Sequence, residues 1–281
     1  MIIRQATGAD LDSIKNIWRI SFGDSDKFID FHFRYANDLS HTFLVEINRE
    51  VAAMVSVLPS KLSLDKEYKV GYIYAAATLP EFRGRGIMGQ LLTYCESYAV
   101  EKDYAALALV PSSLSLFDFY LGHGYEKAFY HSCITKEYRK ISNAQRTTVI
   151  KRCEIKEYMS ARDRFKSRYA FLRLNAFYDE LSLLELEISG YLTYNINRNA
   201  YAIIKRDAST IKIHELICEH GEEKNIIEML VMHFNDEQVS YRAPADINIG
   251  GNTESKPFAM MKWLRNRPKN NLIWYTNNLL D

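Results

Sequence analysis

The stretch from Lys69 to Val100 constrains this chain more than any other. Lys69 to Thr78 reads as a strand, and its second half, Ile73-Tyr74-Ala75-Ala76-Ala77, is almost entirely apolar. An unbroken apolar run of that length marks a central strand buried on both faces. Pro80-Glu81-Phe82-Arg83-Gly84-Arg85-Gly86 follows and has no periodicity. From Ile87 to Val100, Ile87, Leu91, Leu92, Cys95 and Ala99 recur at helical spacing. The chain therefore runs from a central strand through a glycine loop into the start of a helix. A helix start presents unpaired N–H groups and the positive end of the helix dipole. Glycines let the backbone approach an anion, and Arg83 and Arg85 add positive charge. This predicts a phosphate site, against the plainer reading of a loop without a ligand. The spacing matches neither a dinucleotide-binding G-x-G-x-x-G nor a P-loop.

The rest of the N-terminal half reads as alternating elements. Ile2 to Gln5 suits a strand, Leu11 to Phe22 and Asp26 to Tyr35 suit helices, and Thr42 to Ile47 and Val51 to Leu58 suit a hairpin. Leu62 to Leu64 reads as a separate short strand. After the helix, Tyr104 to Val110 is an apolar strand broken by Pro111, Leu114 to Leu121 a short helix, and Tyr125 to Thr135 a strand. Polar residues around Arg139 to Arg146 suggest a boundary, giving domains of residues 1–140 and 141–281. Beyond it, Lys156 to Phe165, Tyr178 to Leu184 and Glu222 to Phe234 read as helices. Ala200 to Lys205, Thr210 to Leu216 and Val239 to Ala243 read as strands. Asp246 to Lys256 reads as a loop, Phe258 to Leu264 as a last short helix and Asn271 to Tyr275 as a terminal strand.

Composition excludes several classes. A net charge of +1 over 281 residues gives no global case for nucleic acid or an anionic membrane as partner. The looser basic group of Arg139, Lys140, Arg146, Lys151 and Arg152 reads as a solvated linker. Cys95, Cys133, Cys153 and Cys218 are widely spaced, which argues for free thiols and against a disulfide framework or a metal site. The start carries Arg4 and Asp10 where a signal peptide would be apolar, and no stretch approaches the ~18 apolar residues of a membrane span. The expected location is the cytoplasm; the oligomeric state is left open.

The order of these elements, with Pro80-Glu81-Phe82-Arg83-Gly84-Arg85-Gly86 and then Phe119-Tyr120-Leu121-Gly122-His123-Gly124-Tyr125, resembles the GNAT superfamily of N-acetyltransferases. The motifs there are [QR]-x-x-G-x-[GA] and F-Y-x-x-x-G-[FY]. The resemblance covers Ile2 to Lys136. It departs at Met88, where Gly or Ala is usual, and at Ser113, where many members carry Asn. It implies an α+β fold with a mixed, mostly antiparallel central sheet flanked by helices, followed by a second, smaller α+β domain. It further implies acetyl-CoA as co-substrate and a small-molecule or peptide amine as acceptor. The pantetheine arm would pair with Ala76, Ala77 and Thr78, where the central strand and the next one splay apart. Pyrophosphate would lie on the N–H groups of Arg85, Gly86, Ile87, Met88 and Gly89, beside Arg83 and Gly84, with Ser113 near the cofactor. Tyr120 matches the tyrosine that protonates the departing thiolate.

The general base is not named by this pattern. His123, Glu46 and Glu81 are candidates by residue type alone. The second half, with Cys218-Glu219-His220-Gly221-Glu222-Glu223 where a phosphate loop would be, resembles a degenerate second GNAT-like unit, as in Eis-type tandem members. Some of those use a C-terminal carboxylate as base, which would be Asp281 here. A cleft between the halves would take the acceptor, with Trp18, Phe22, Phe31, Phe33 and Tyr35 either lining it or belonging to the core. Two other readings compete with an enzyme of this kind. One is a non-catalytic acyl-CoA-binding sensor or scaffold; the other is an aminoacyl transferase of the Fem type, which the near-neutral charge disfavours.

Overall fold

The computed structural model describes residues 1–36, 38–138, 149–164, 170–269 and 274–276. The boundary expected at Arg139 to Arg146 and the carboxylate of Asp281 lie outside the described residues. In chain order the elements are strand β1 (Ile2–Gln5), helices α1 (Leu11–Phe22) and α2 (Asp26–Tyr35), and strands β2 (Thr42–Ile47), β3 (Glu50–Ser63) and β4 (Glu67–Thr78). Helix α3 (Ile87–Glu101), β5 (Ala106–Leu109), α4 (Leu114–Leu121) and β6 (Glu126–Glu137) complete the first half. The second half holds β7 (Ile150–Arg152), α5 (Ile155–Arg164), β8 (Ala170–Leu174), α6 (Ala176–Ile188), β9 (Leu192–Ile196), β10 (Ala200–Asp207) and β11 (Thr210–Ile217). It ends with α7 (Glu223–Phe234), β12 (Gln238–Pro244), β13 (Asn252–Trp263) and β14 (Trp274–Thr276). The fold is α+β, and one mostly antiparallel sheet runs through both halves in the order β1-β2-β3-β4-β5-β13-β6-β12-β11-β10-β9-β7.

Two insertions tie the halves together. β13 lies between β5 and β6, antiparallel to both, with Met260 opposite Leu109 and Ser255 opposite Ser132. The expectation of a helix over Phe258 to Leu264 is therefore wrong. Its apolar residues fit helical spacing, but partners distant in sequence claim the backbone as strand, and Pro257 sits at a register shift. The expected loop over Asp246 to Lys256 is likewise shorter, because Asn252 to Lys256 already pair with β6. The second insertion uses β3. Glu50 to Ser56 pair with β2, and Ser60 to Ser63 pair with β8 on the same strand. This change of partner carries β3 past Pro59, where the sequence suggests a break. β8 also carries β14 in parallel register.

The second half repeats part of the first. β11, α7 and β12 form a parallel pair joined through a helix, as β4, α3 and β5 do. At the start of α7, however, the Glu223 carboxylate accepts the Gly221 N–H at 2.8 Å. The N-cap of α7, Glu222, makes no side-chain cap hydrogen bond. No helix among the described residues is long and apolar enough to cross a membrane, and none of their His, Cys, Asp and Glu side chains cluster to hold a metal ion.

Helices α3 and α4 cover one face of the first half, burying Leu91, Leu92, Cys95, Phe117 and Tyr120 against Val55, Ile73 and Leu107. Helices α1 and α2 cover the opposite face, where Ile14, Ile17, Trp18, Ile29 and Phe33 meet Leu44, Met54, Ala75 and Ala77. Two buried histidines lie elsewhere in the sheet. Burial, and beyond it the Arg242 charge, lowers the pKa of both His131 and His214 to about 3. The neutral His131 ring donates from Nε2 to the Thr276 carbonyl at 2.6 Å, a bond that also raises its pKa somewhat. The unfolded chain takes up these protons near pH 6.5, well above the folded values. Stability is then full above that pH and falls as pH drops toward 3. At pH 5 the expected loss is up to about 2 kcal/mol per histidine. Urea midpoints at pH 7.5 and 5 check this: the double variant His131→Gln/His214→Gln should show a smaller drop than the wild type, and an equal drop would contradict the assignment.

Candidate active site

The gap expected beside the central strand is present. β4 and β5 pair in parallel at Val70, Gly71 and Tyr72 against Ala106, Leu107 and Ala108, and no pair follows. From Ile73 onward the β5-facing edge of β4 is open, while its other edge still pairs Ala77 with Met54 and Thr78 with Ala53 on β3. The register shifts between Met54 and Ser56, and Ala75 takes a left-handed backbone with φ of 50°. A left-handed alanine costs on the order of 1–2 kcal/mol. Its effect is visible in the packing: consecutive residues Tyr74 and Ala75 both meet the α1–α2 side, whereas Ala76 meets the α3–α4 side. Thr78 gives its carbonyl to Arg83 Nε at 2.9 Å.

The loop beyond β4 is built for an open backbone. Gly84 and Gly86 both have positive φ, and a Cβ at either would meet nothing within 4 Å. Gly86 is the N-cap of α3 and supplies no side-chain cap. Helical bonding begins with Gln90 N–H to the Gly86 carbonyl, so the N–H groups of Ile87, Met88 and Gly89 have no partner within the helix. Arg83 and Arg85 are exposed; Arg85 donates to the Glu81 carbonyl at 2.8 Å and lies over the Phe82 ring. Ile87 is buried and anchors the helix start, and Met88 is half-buried against the α3 core.

Tyr120 lies on the same side of the sheet, in α4. It is buried, with its ring edge-on to Tyr125 at 5.6 Å, and burial raises its pKa to about 12. Its hydroxyl makes no hydrogen bond among the described residues and is not sealed from solvent. Ser113 is the exposed N-cap of α4, with its hydroxyl 3.0 Å from that of Ser115.

The candidate bases sit in less suitable places. Glu46 accepts two hydrogen bonds from Arg4, at 3.1 and 3.0 Å, within a cluster that also holds Asp10. Glu81 is exposed in the loop. His123 packs under the start of α3, where a Cβ on Gly89 would come within 2.6 Å of its Nε2, and its Nδ1 lies 3.1 Å from the Phe119 carbonyl.

On the opposite side of the sheet, a small pocket lies over the splayed part of β4. Trp18 and Phe33 line it, together with Tyr74, Ala75, His32 and, from α6 of the second half, Tyr178. Of the other aromatic candidates, Phe22 and Tyr35 are exposed and Phe31 packs against the core under β3. Sequence reasoning missed His32, Tyr74 and Tyr178. Tyr74 could have been found from its place in the central strand; the other two carry no local signal.

Residues 2–128 match the family model described as an acetyltransferase (GNAT) domain. An uncharacterised N-acetyltransferase of Archaeoglobus fulgidus is 28% identical over 112 residues, covering 37% of this chain and 76% of that protein. A GCN5-related N-acetyltransferase from Anabaena variabilis superposes with a TM-score of 0.78 at 14% identity, over 94% of this chain and 73% of that one. Eis1 from Mycobacterium abscessus superposes with a TM-score of 0.72 at 13% identity, over 94% and 74%. At these identities the solved structures speak for the fold alone, and the likeness extends over both halves.

Proposed function

We propose, from the match of residues 2–128 to the acetyltransferase (GNAT) domain model, that this protein takes acetyl-CoA as co-substrate and transfers its acetyl group to an amine of a small molecule or peptide. The observation that carries the reading is the gap between β4 and β5, followed by an uncapped helix start, with Tyr120 in the core on the α3–α4 side of the sheet. The N–H groups from Arg85 to Gly89 take the pyrophosphate, with Arg83 beside them. Gly84 and Gly86 keep side chains out of the way. The open edge of Ala76, Ala77 and Thr78 takes the pantetheine amides as an added strand. Ser113, just beyond β5, offers a hydroxyl to the same ligand.

Transfer then follows from thioester aminolysis. The neutral amine attacks the carbonyl carbon; the C–N bond forms and the C–S bond breaks. One proton leaves nitrogen and one reaches sulfur. Holding both reactants in the gap supplies much of the acceleration. With its pKa raised to about 12, Tyr120 keeps its proton at neutral pH. Its role is to direct that O–H at the sulfur as negative charge develops there.

Calorimetry with acetyl-CoA tests the binding half of this reading. The wild type should bind, and the double variant Arg83→Glu/Arg85→Glu should bind at least about tenfold more weakly, or ~1.4 kcal/mol. No binding heat in the wild type would remove the reading of the loop.

A further inference from the structure

His32 and Glu185 stand 153 residues apart in sequence, yet His32 Nδ1 lies 2.7 Å from Glu185 Oε1, and both residues are buried. His32 comes from α2 and Glu185 from α6, so the contact joins the two halves of the chain. His32 lines the pocket that also exposes Tyr74 and Ala75 of the splayed strand, and Glu185 stands behind it. With Nδ1 engaged by a carboxylate, the ring is held in one orientation and Nε2 is the basic nitrogen. Nε2 makes no hydrogen bond among the described residues. The ring is further fixed by Trp18, with centroids 4.6 Å apart, and by Tyr74 at 5.8 Å. Tyr120 packs on the α3–α4 side of the sheet and His32 on the α1–α2 side, in the pocket over the splayed strand.

We infer that His32, oriented by Glu185 of the second half, is the general base that takes the proton from the acceptor amine. The inference rests on the transferase reading above and adds the group that the sequence motifs leave unnamed. The amine enters the α1–α2 pocket between Trp18, Phe33, Tyr74 and Tyr178. As its nitrogen bonds to the acetyl carbon, the N–H proton passes to His32 Nε2, and Glu185 stabilises the imidazolium. The thiolate leaves on the other side, toward Tyr120. His32 touches the reacting amine; Glu185 is a positioning residue acting through His32. The other polar and titratable groups about the ring are Asp38 on the pocket wall, Tyr178 from α6, Tyr74 from β4 and the nearby His41. The Asp38 carboxylate is held by the Ser40 N–H and hydroxyl, both at 2.8 Å, which leaves the imidazole as the base. In this arrangement the second half supplies one wall of the acceptor pocket and the partner of its base.

The experiment is thiol release from acetyl-CoA, with the fastest acceptor from a panel of amines, over pH 6 to 10. Wild type, His32→Gln, Glu185→Gln and His32→Ala with and without added imidazole are compared, and acetyl-CoA affinity is measured for each by calorimetry. His32→Gln should lower kcat/KM by at least about 100-fold, within the usual range for a general base, with acetyl-CoA affinity unchanged. Glu185→Gln should lower it by about tenfold or more and move the acid limb of the pH profile to lower pH, because a neutral amide stabilises the imidazolium less than a carboxylate does. Imidazole should partly restore His32→Ala, a response that a purely structural role would not give. Turnover by His32→Gln within threefold of wild type, with the same acid limb, would overturn the inference and leave the transferase reading standing. A wild type that binds acetyl-CoA but releases no thiol with any amine would overturn both.

Discussion

Tyr120→Phe is expected to lower kcat about 100-fold or more while leaving the acetyl-CoA dissociation constant unchanged. The substitution removes only the hydroxyl. Tyr120 contributes a ring to the core of the α3–α4 face, in edge contact with Phe119 and Tyr125, and phenylalanine keeps that ring. Since the hydroxyl makes no hydrogen bond among the described residues, its loss leaves no buried partner unsatisfied. What remains is the proposed chemistry, in which Tyr120 directs its proton at developing charge on sulfur; removing such a donor costs on the order of 10²–10⁴ in rate. Steady-state kinetics beside calorimetry separate the two effects. A variant that turns over within twofold of wild type would take Tyr120 out of the reaction.

The largest effect on stability is expected at Arg162. This side chain is buried in the second half, with its guanidinium 2.5 Å from Asp179 and 3.2 Å from Glu215. Tyr158 donates to the other Glu215 oxygen at 2.7 Å, and Arg173 reaches Asp179 at 2.8 Å. Burial alone would lower the Arg162 pKa and raise that of Asp179; the facing charges reverse both, so this pair stays ionised. Arg162→Met leaves two buried carboxylates short of a partner, and breaking a buried ion pair in this way costs about 3–5 kcal/mol. Urea unfolding measures it directly. A loss below about 1 kcal/mol would show that the network contributes little net stability, as holds for exposed pairs. The network also matters for the pocket. Asp179 lies on α6 beside Tyr178 and in the same helix as Glu185. Loosening that helix should therefore weaken the proposed acceptor pocket before the proposed acetyl-CoA loop.

The sequence exposed the proposed acetyl-CoA side of the site far better than the proposed acceptor side, for a physical reason. Arg83 to Gly89 is local: two glycines, two arginines and a helix start are contiguous, and each acts through its own backbone or charge. The apolar run Ile73 to Ala77 likewise signals a central strand without help from elsewhere. His32 and Glu185 acquire meaning only when α6 of the second half packs near α2, and no spacing along the chain encodes that. The misreading of Phe258 to Leu264 has the same origin. Its partners, Ala106 to Leu109 and Glu126 to Phe129, lie more than a hundred residues upstream. Pro59 misleads in the opposite way, since a proline normally marks an edge or a break. Here its carbonyl accepts the Asn175 N–H at 3.0 Å while the strand exchanges β2 for β8.

The most direct test of transfer is amine-dependent release of CoA thiol from acetyl-CoA by the wild-type protein. The panel should span aminoglycosides, polyamines, amino acids and N-terminal peptides, with mass spectrometry of the amine product. The account predicts thiol release with at least one amine, and one N-acetyl group gained for each thiol released. Bound acetyl-CoA with no amine-dependent release across the panel would contradict it and point to a protein that holds acyl-CoA without turning it over.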